Sequence, residues 1–175
     1  SPKNKWELAD MLRFALDFNG PVALRYPRGA AYDGYQEFRA PIELGKSEMI
    51  YEEKEIALLS VGHMFQEAAA VREHLKQEGY SCSLINARFV KPLDEEMIDR
   101  LAKEHRLIAV IEENVPSGAF GERVQRYAAE KGLKVRILPI SLPDDYVEHG
   151  NVDILRKASG LDQESMTRRI LETYK

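Results

Sequence analysis

Apolar and polar positions along this chain follow two rhythms, and the change from one to the other lays out its architecture. In residues 4–18, "NKWELADMLRFALDF", Leu8, Met11, Leu12 and Ala15 recur at helical spacing, which predicts an amphipathic helix with one apolar stripe. Asn4 followed three residues later by Glu7 is a capping pair, and Gly20 lies just past the end. "VALRY" (22–26) predicts a strand directly after it. Residues 29–43 carry glycine, proline and charge with no period, and are expected to form a linker.

Beyond the linker the alternation is regular. Residues 47–52 suit a short edge strand, and "EIALLSVG" (55–62) is a continuous apolar run of the kind a strand covered on both faces needs. A helix is predicted over 64–78, with Met64, Ala68, Val71 and Leu75 on one stripe and Gly79 as its stop; a strand follows over 80–88. Asp94 caps a helix reaching His105, with Glu95 and Glu96 in its first turn. Lys103, His105 and Arg106 lie at the end that favours positive charge. A strand at 106–113, a helix at 121–131, a strand at 134–141 and two short helices near 151–158 and 162–173 complete the order. Strands alternating with helices pair in parallel through right-handed crossovers. The fold class is therefore α/β: a three-layer α/β/α domain on a mostly parallel sheet of about five strands.

Composition narrows the function. Of 175 residues, 44% are hydrophobic and 31% charged, the balance of a globular chain. Apolar runs such as "LIAVI" (107–111) are too short to cross a bilayer, and no charged-then-apolar leader opens the chain, so neither a membrane partner nor export is expected. A net charge of −4 argues against a general nucleic-acid surface. The single cysteine, Cys82, allows no internal disulfide and fits a reducing, cytoplasmic location; within "YSCSLI" it reads as a buried structural thiol. The first residue is Ser1 rather than methionine, which fits a piece of a longer chain.

Ligands of open α/β sheets collect outside the carboxyl ends of the strands, and four places there carry candidate chemistry. Arg28 lies past Pro27, beyond a strand end, where its five-donor fork suits a phosphate or carboxylate; Arg25 points to the strand face opposite Leu24 and Tyr26. A surface arginine paired with a neighbouring carboxylate is the plain alternative. His63, after Gly62, has the chemistry to titrate near neutral pH but is expected to cap the next helix or bond locally. Glu112 and Glu113 close a strand ahead of Gly118 and Gly121, whose spacing is not a dinucleotide fingerprint. Such a loop can cradle an anion at a helix start, although glycines that merely let the backbone turn or approach a neighbour are the default. The two glutamates point to opposite faces and are not a dyad. Asp144, Asp145, Glu148 and His149 crowd one segment without a metal-ligand spacing, and Asp144 after Pro143 suits a turn or a cap. The residues alone thus offer one anion-site candidate and no complete catalytic set.

Taken in order, "RYPRG" (25–29), "NARFVKPLDEE" (86–96), "EENVPSGAFG" (112–121), "LPDDYVEHG" (142–150) and "GLDQESMTRRI" (160–170) resemble the last third of the 1-deoxy-D-xylulose-5-phosphate synthases. The likeness spans practically the whole chain. It implies a transketolase C-terminal-type domain over 43–175, preceded over 1–42 by the final helix and strand of a middle, pyrimidine-binding α/β domain and a linker. It also implies a transferase dependent on thiamine diphosphate and Mg2+. Such an enzyme condenses pyruvate with glyceraldehyde 3-phosphate and releases carbon dioxide. It works as a cytoplasmic homodimer, and its product feeds isoprenoid, thiamine and pyridoxal phosphate synthesis. The family's G-D-G…N cofactor motif does not occur in these residues, and the glutamate that activates the cofactor would precede them. This piece alone is therefore expected to bind no cofactor and to be inactive. Arg28 matches the family arginine that binds the acceptor's phosphate; Tyr26 and Arg25 are expected to support it as an apolar anchor and a neighbouring charge. No catalytic or metal-binding residue carries over. The alternatives are the C-terminal domain of a 2-oxo acid dehydrogenase β subunit, against which "PDDYVEHG…GLD" speaks, and a standalone α/β interaction module. Without their parent sheet, residues 1–28 are expected to be less protected than 55–141.

Overall fold

A continuous apolar run becomes a central strand because both of its faces can then be covered by helices. In the computed structural model, which describes residues 1–175, the runs at Glu55–Ser60 (β2), Cys82–Asn86 (β3) and His105–Ile111 (β4) take these places, with Glu48–Tyr51 (β1) and Arg136–Ile140 (β5) at the edges. The sheet order is β1-β3-β2-β4-β5. β1 runs antiparallel to β3, and every other pair is parallel. Side-chain alternation sorts the core into two layers. Ile56, Leu58, Leu84, Leu107, Ala109 and Ile111 pack under the helices Phe65–Gln77 (α2) and Gln163–Tyr174 (α6). Ala57, Leu59, Ile85, Ile108 and Val110 pack under Glu95–Glu104 (α3) and Phe120–Lys131 (α4). This is the three-layer α/β/α arrangement that the alternation predicts. Asp94 caps α3 by accepting from the Met97 amide, at 3.2 Å. Cys82 is fully buried, and burial pushes its thiol up to about 12, the chemistry of a structural cysteine.

The N-terminal end departs from expectation in two ways. Helix Lys5–Asp17 (α1) forms, and Asn4 caps it by accepting from Glu7 N at 2.9 Å. Its predicted stripe, however, is covered only in part: Met11 is buried beside Glu7, Leu8 and Ala15 are half-buried, and Leu12 is exposed, as is Leu16 at 87%. Nothing in this chain covers Leu12, and the start of α1 seats on buried charge around Glu7. Residues 22–26 form no strand. A lone strand cannot satisfy its own amides and carbonyls, and here no neighbouring strand pairs with it. Residues 18–31 leave the domain as a largely exposed excursion. Pro2, Lys3, Asn4, Glu7 and Met11 are buried, so the start of the first helix packs on the domain, whereas residues 18–31 are largely exposed.

The linker is irregular, as its composition predicts, but it is not a loose tether. Tyr35 stands edge-on to Phe65 with ring centroids 5.1 Å apart, and Phe38 edge-on to Tyr51 at 5.5 Å. These rings close one margin of the core next to α2, each pair adding roughly 0.5–1.5 kcal/mol beyond its burial.

Candidate functional site

The excursion carries Arg25, Tyr26 and Arg28 together, all exposed. Tyr26 is 59% exposed: without a strand there is no sheet face for it to anchor to, nor an opposite face for Arg25 to occupy. The charge of Arg25 is felt at the Ser1 amino group, whose pKa falls to about 6 chiefly through burial, with Glu7 opposing and Arg25 adding to the fall. Arg28 enters no ion pair; the carboxylate partner of the plain alternative is not seen, and its fork is open.

The base of the excursion rests on a set of buried charges. Glu7 Oε2 accepts from the Lys3 amide at 2.6 Å, and Glu7 Oε1 accepts from Lys3 Nζ at 3.1 Å. Asn86 Nδ2 lies within 3.0 Å of both Glu7 oxygens, and Arg88 Nε donates to Oε1 at 2.7 Å. Lys3 Nζ also donates to Glu48 Oε2 at 2.6 Å. Burial alone would raise the Glu7 pKa; Lys3 and Arg88, helped by the Lys3 and Asn86 amides, outweigh it and hold the carboxyl below the usual range. This network escaped the sequence reading. Its available signal was the Lys3–Glu7 pair at helical i, i+4 spacing beside Met11.

The sheet's topological switch point lies between β2 and β4, because the chain turns to β3 on one side and then crosses to β4 on the other. His63 sits there in the short turn Gly62–Met64, but neither expectation for it holds. Met64 is the N-cap of α2 and makes no side-chain bond, and the partner of His63 is distant: Nε2 lies 2.6 Å from Oε2 of Glu113, fifty residues on. Glu113 also accepts from Arg156 Nε at 3.1 Å, and Arg156 Nη1 reaches Glu67 at 3.5 Å. Arg156 belongs to helix Val152–Ala158 (α5), which buries no residue of its own, so these bonds tie α5 to the sheet. The hydrogen bond from His63 holds the Glu113 carboxyl at about 2, against the burial that would raise it, and Arg156 adds to the fall.

A depressed carboxylate stabilises the fold fully above its ordinary value and loses that contribution as pH falls towards its folded value. The Glu113 contribution is therefore complete above about 4.5 and is lost down to about 2. Glu113→Gln should cost about 1–2 kcal/mol at pH 7, after allowance for the solvent around the pair. The difference from the parent chain should shrink as unfolding is repeated at pH 4 and pH 3. A difference that stays constant with pH would show that the ionised carboxylate is not what stabilises.

Glu112 turns to the opposite face, as expected of its strand position. It is 2% exposed; Oε2 accepts from the Phe120 amide at 3.1 Å and Oε1 from the Gly121 amide at 2.6 Å. The anion at the glycine loop is thus the chain's own glutamate, seated on the N-terminus of α4. Gly121 permits the approach: a Cβ there would stand 3.2 Å from Glu112 Oε1 and 3.1 Å from Pro139 Cβ. In the "PDDYVEHG" segment Asp145 Oδ1 accepts from the Tyr146 amide at 2.7 Å, and no three acids, histidines or cysteines anywhere in the chain stand together to hold a metal.

Residues 45–166 match the family described as transketolase, C-terminal domain. The chain belongs to that family. Over 171 residues it is 45% identical to a 1-deoxy-D-xylulose-5-phosphate synthase of Lachnoclostridium phytofermentans, covering 97% of this chain and 27% of that protein. An Aquifex aeolicus protein of the same name is 37% identical over 175 residues, covering 100% of this chain and 28% of its own. The chain thus spans little more than a quarter of these relatives. Among solved structures, a split-gene transketolase described as an inactive beta4 tetramer superposes with a TM-score of 0.88 at 19% identity, over 99% of this chain and 57% of its own. A Pichia stipitis transketolase mutant gives 0.56 over 74% of this chain and 18% of its own, at 12% identity. These two support the fold.

Proposed function

We propose that the chain is the C-terminal part of a thiamine-diphosphate-dependent transferase that condenses pyruvate with glyceraldehyde 3-phosphate and releases carbon dioxide, giving 1-deoxy-D-xylulose 5-phosphate. Likeness along the whole chain to proteins of that name supports the reaction. Within the molecule, one observation carries it: Arg28 holds an open, unpaired guanidinium on an exposed excursion with a fixed base. A planar fork free of carboxylates is what a phosphate dianion needs, since it offers parallel, charge-assisted bonds. Arg28 takes the acceptor's phosphate, and Arg25 adds positive charge nearby.

Residues 1–28 are, on this reading, the last helix and strand of the preceding domain, and 22–26 become a strand when that domain's sheet is beside them. The exposed Leu12, Leu16, Val22 and Tyr26 are then surface that the rest of the protein covers. From about residue 43 the chain is the C-terminal domain. The described residues do not fit the cofactor: they gather no metal-holding set of acids, and the α4 N-terminus is filled by Glu112. Thiamine diphosphate and its Mg2+ are placed on the rest of the protein, which works as a homodimer in the cytoplasm.

The test is an assay of the full-length protein with pyruvate, glyceraldehyde 3-phosphate, thiamine diphosphate and Mg2+, following carbon dioxide and the ketose phosphate. Both products should appear with the full-length protein and neither with the 175-residue chain, and calorimetry should find no uptake of thiamine diphosphate by the latter. Transfer from ketose donors without use of pyruvate would overturn the reaction. Micromolar binding of thiamine diphosphate to the 175-residue chain would overturn the placement of the cofactor.

A further inference from the structure

The excursion that carries Arg28 leaves and rejoins the domain at one place. Its two limbs are tied across the base: Lys5 N donates to Tyr32 O at 2.9 Å, Asn4 Nδ2 to Gly34 O at 2.9 Å, and Arg39 grips Asp10 with Nε at 3.0 Å and Nη2 at 2.6 Å. Beneath these ties, one side chain holds both limbs and the sheet at once. Arg88 Nε donates to Glu7 on the departing limb, while Nη2 and Nη1 donate to the Ala40 and Pro41 carbonyls on the returning limb at 2.9 and 3.0 Å. Nη2 also lies 3.1 Å from Glu48 on β1, whose other oxygen accepts from the Ala40 amide at 3.0 Å. Arg88 is 2% exposed, and its φ of +57° is a left-handed conformation that costs a non-glycine residue energy and persists only where surrounding contacts enforce it. The charges balance, Lys3 and Arg88 against Glu7 and Glu48, and a closed network of this kind contributes geometric definition more than net stability.

We infer that Arg88 is a positioning residue, a latch that closes the base of the excursion and so sets where the Arg28 guanidinium stands relative to the C-terminal domain. The inference rests on the reading of Arg28 as the acceptor-phosphate ligand. Lysine cannot replace Arg88, because a point charge on a flexible stem does not reproduce four bonds spread over one planar fork.

Hydrogen exchange on the 175-residue chain tests the latch directly. Arg88→Lys, and Glu48→Gln as a second variant, should speed exchange of the α1 amides and of residues 32–41 by about tenfold or more, while amides of β2 and β4 stay within about twofold. Unchanged exchange at 32–41, or equal loosening of the whole sheet, would overturn it. In the full-length protein Arg88→Lys should raise KM for glyceraldehyde 3-phosphate about tenfold, with kcat and the pyruvate KM unchanged, and should add nothing in an Arg28→Ala background. Additive effects would show that Arg88 does not act through Arg28. If Arg28→Ala alone leaves the acceptor KM unchanged, the acceptor reading fails, and the exchange result decides the latch by itself.

Discussion

Glu7→Ala should destabilise the 175-residue chain by about 3–5 kcal/mol, a large share of the roughly 5–15 kcal/mol that holds a domain folded. Leu16→Ser, about two and a half turns further along the same helix, should change stability by less than about 0.5 kcal/mol. The usual ranking of a leucine over a glutamate is reversed because Glu7 is 2% exposed and Leu16 is 87% exposed. Removing Glu7 strips Lys3 and Arg88 of a shared partner inside the protein and leaves the Asn86 amide only its 3.5 Å contact with Glu48. Uncompensated buried charge is among the most costly single defects a domain can carry. Urea unfolding of the two variants measures both numbers. A loss below about 1 kcal/mol for Glu7→Ala would mean that water reaches the network in solution.

Arg28→Ala should raise the KM of the full-length protein for glyceraldehyde 3-phosphate by about 10- to 150-fold. That factor corresponds to the roughly 1.5–3 kcal/mol of a charge-assisted contact to phosphate. The substitution touches an exposed side chain with no protein partner, so folding and stability should be unaffected. Affinity for thiamine diphosphate should also be unchanged, because Arg28 is assigned to the acceptor and not to the cofactor. Arg28→Lys should recover part of the loss, since a single ammonium keeps the charge but not the parallel pair of bonds.

How much of this was legible beforehand depends on what each feature answers to. The strands β2, β3 and β4, and the helices between them, follow from local apolar rhythm, and their two-sided burial follows from its continuity. The cap at Asp94 and the opposed directions of Glu112 and Glu113 follow from spacing alone. The strand at 22–26 did not form because a strand is a property of its neighbours, and "VALRY" has none in this chain. Leu12 and Leu16 of α1 have helical spacing but nothing here to cover them. His63–Glu113 joins residues fifty positions apart, and Arg88 joins residues 7, 40, 41 and 48. Contacts of such sequence separation leave no periodic trace. At the candidate site, the proposal of Arg28 came from its motif, whereas the buried base beneath it was not readable, because charged residues in a sequence read as surface until their partners are known.

The central claim is that Arg28 recognises the phosphate of the acceptor, and comparing two acceptors that differ only in that group tests it most directly. The full-length parent protein should strongly prefer glyceraldehyde 3-phosphate over glyceraldehyde, and Arg28→Ala should lose about 10- to 150-fold of that preference in kcat/KM while its use of glyceraldehyde stays the same. A variant that keeps the parent's preference, or that loses both acceptors equally, would contradict the assignment of Arg28 and with it the function proposed for this chain.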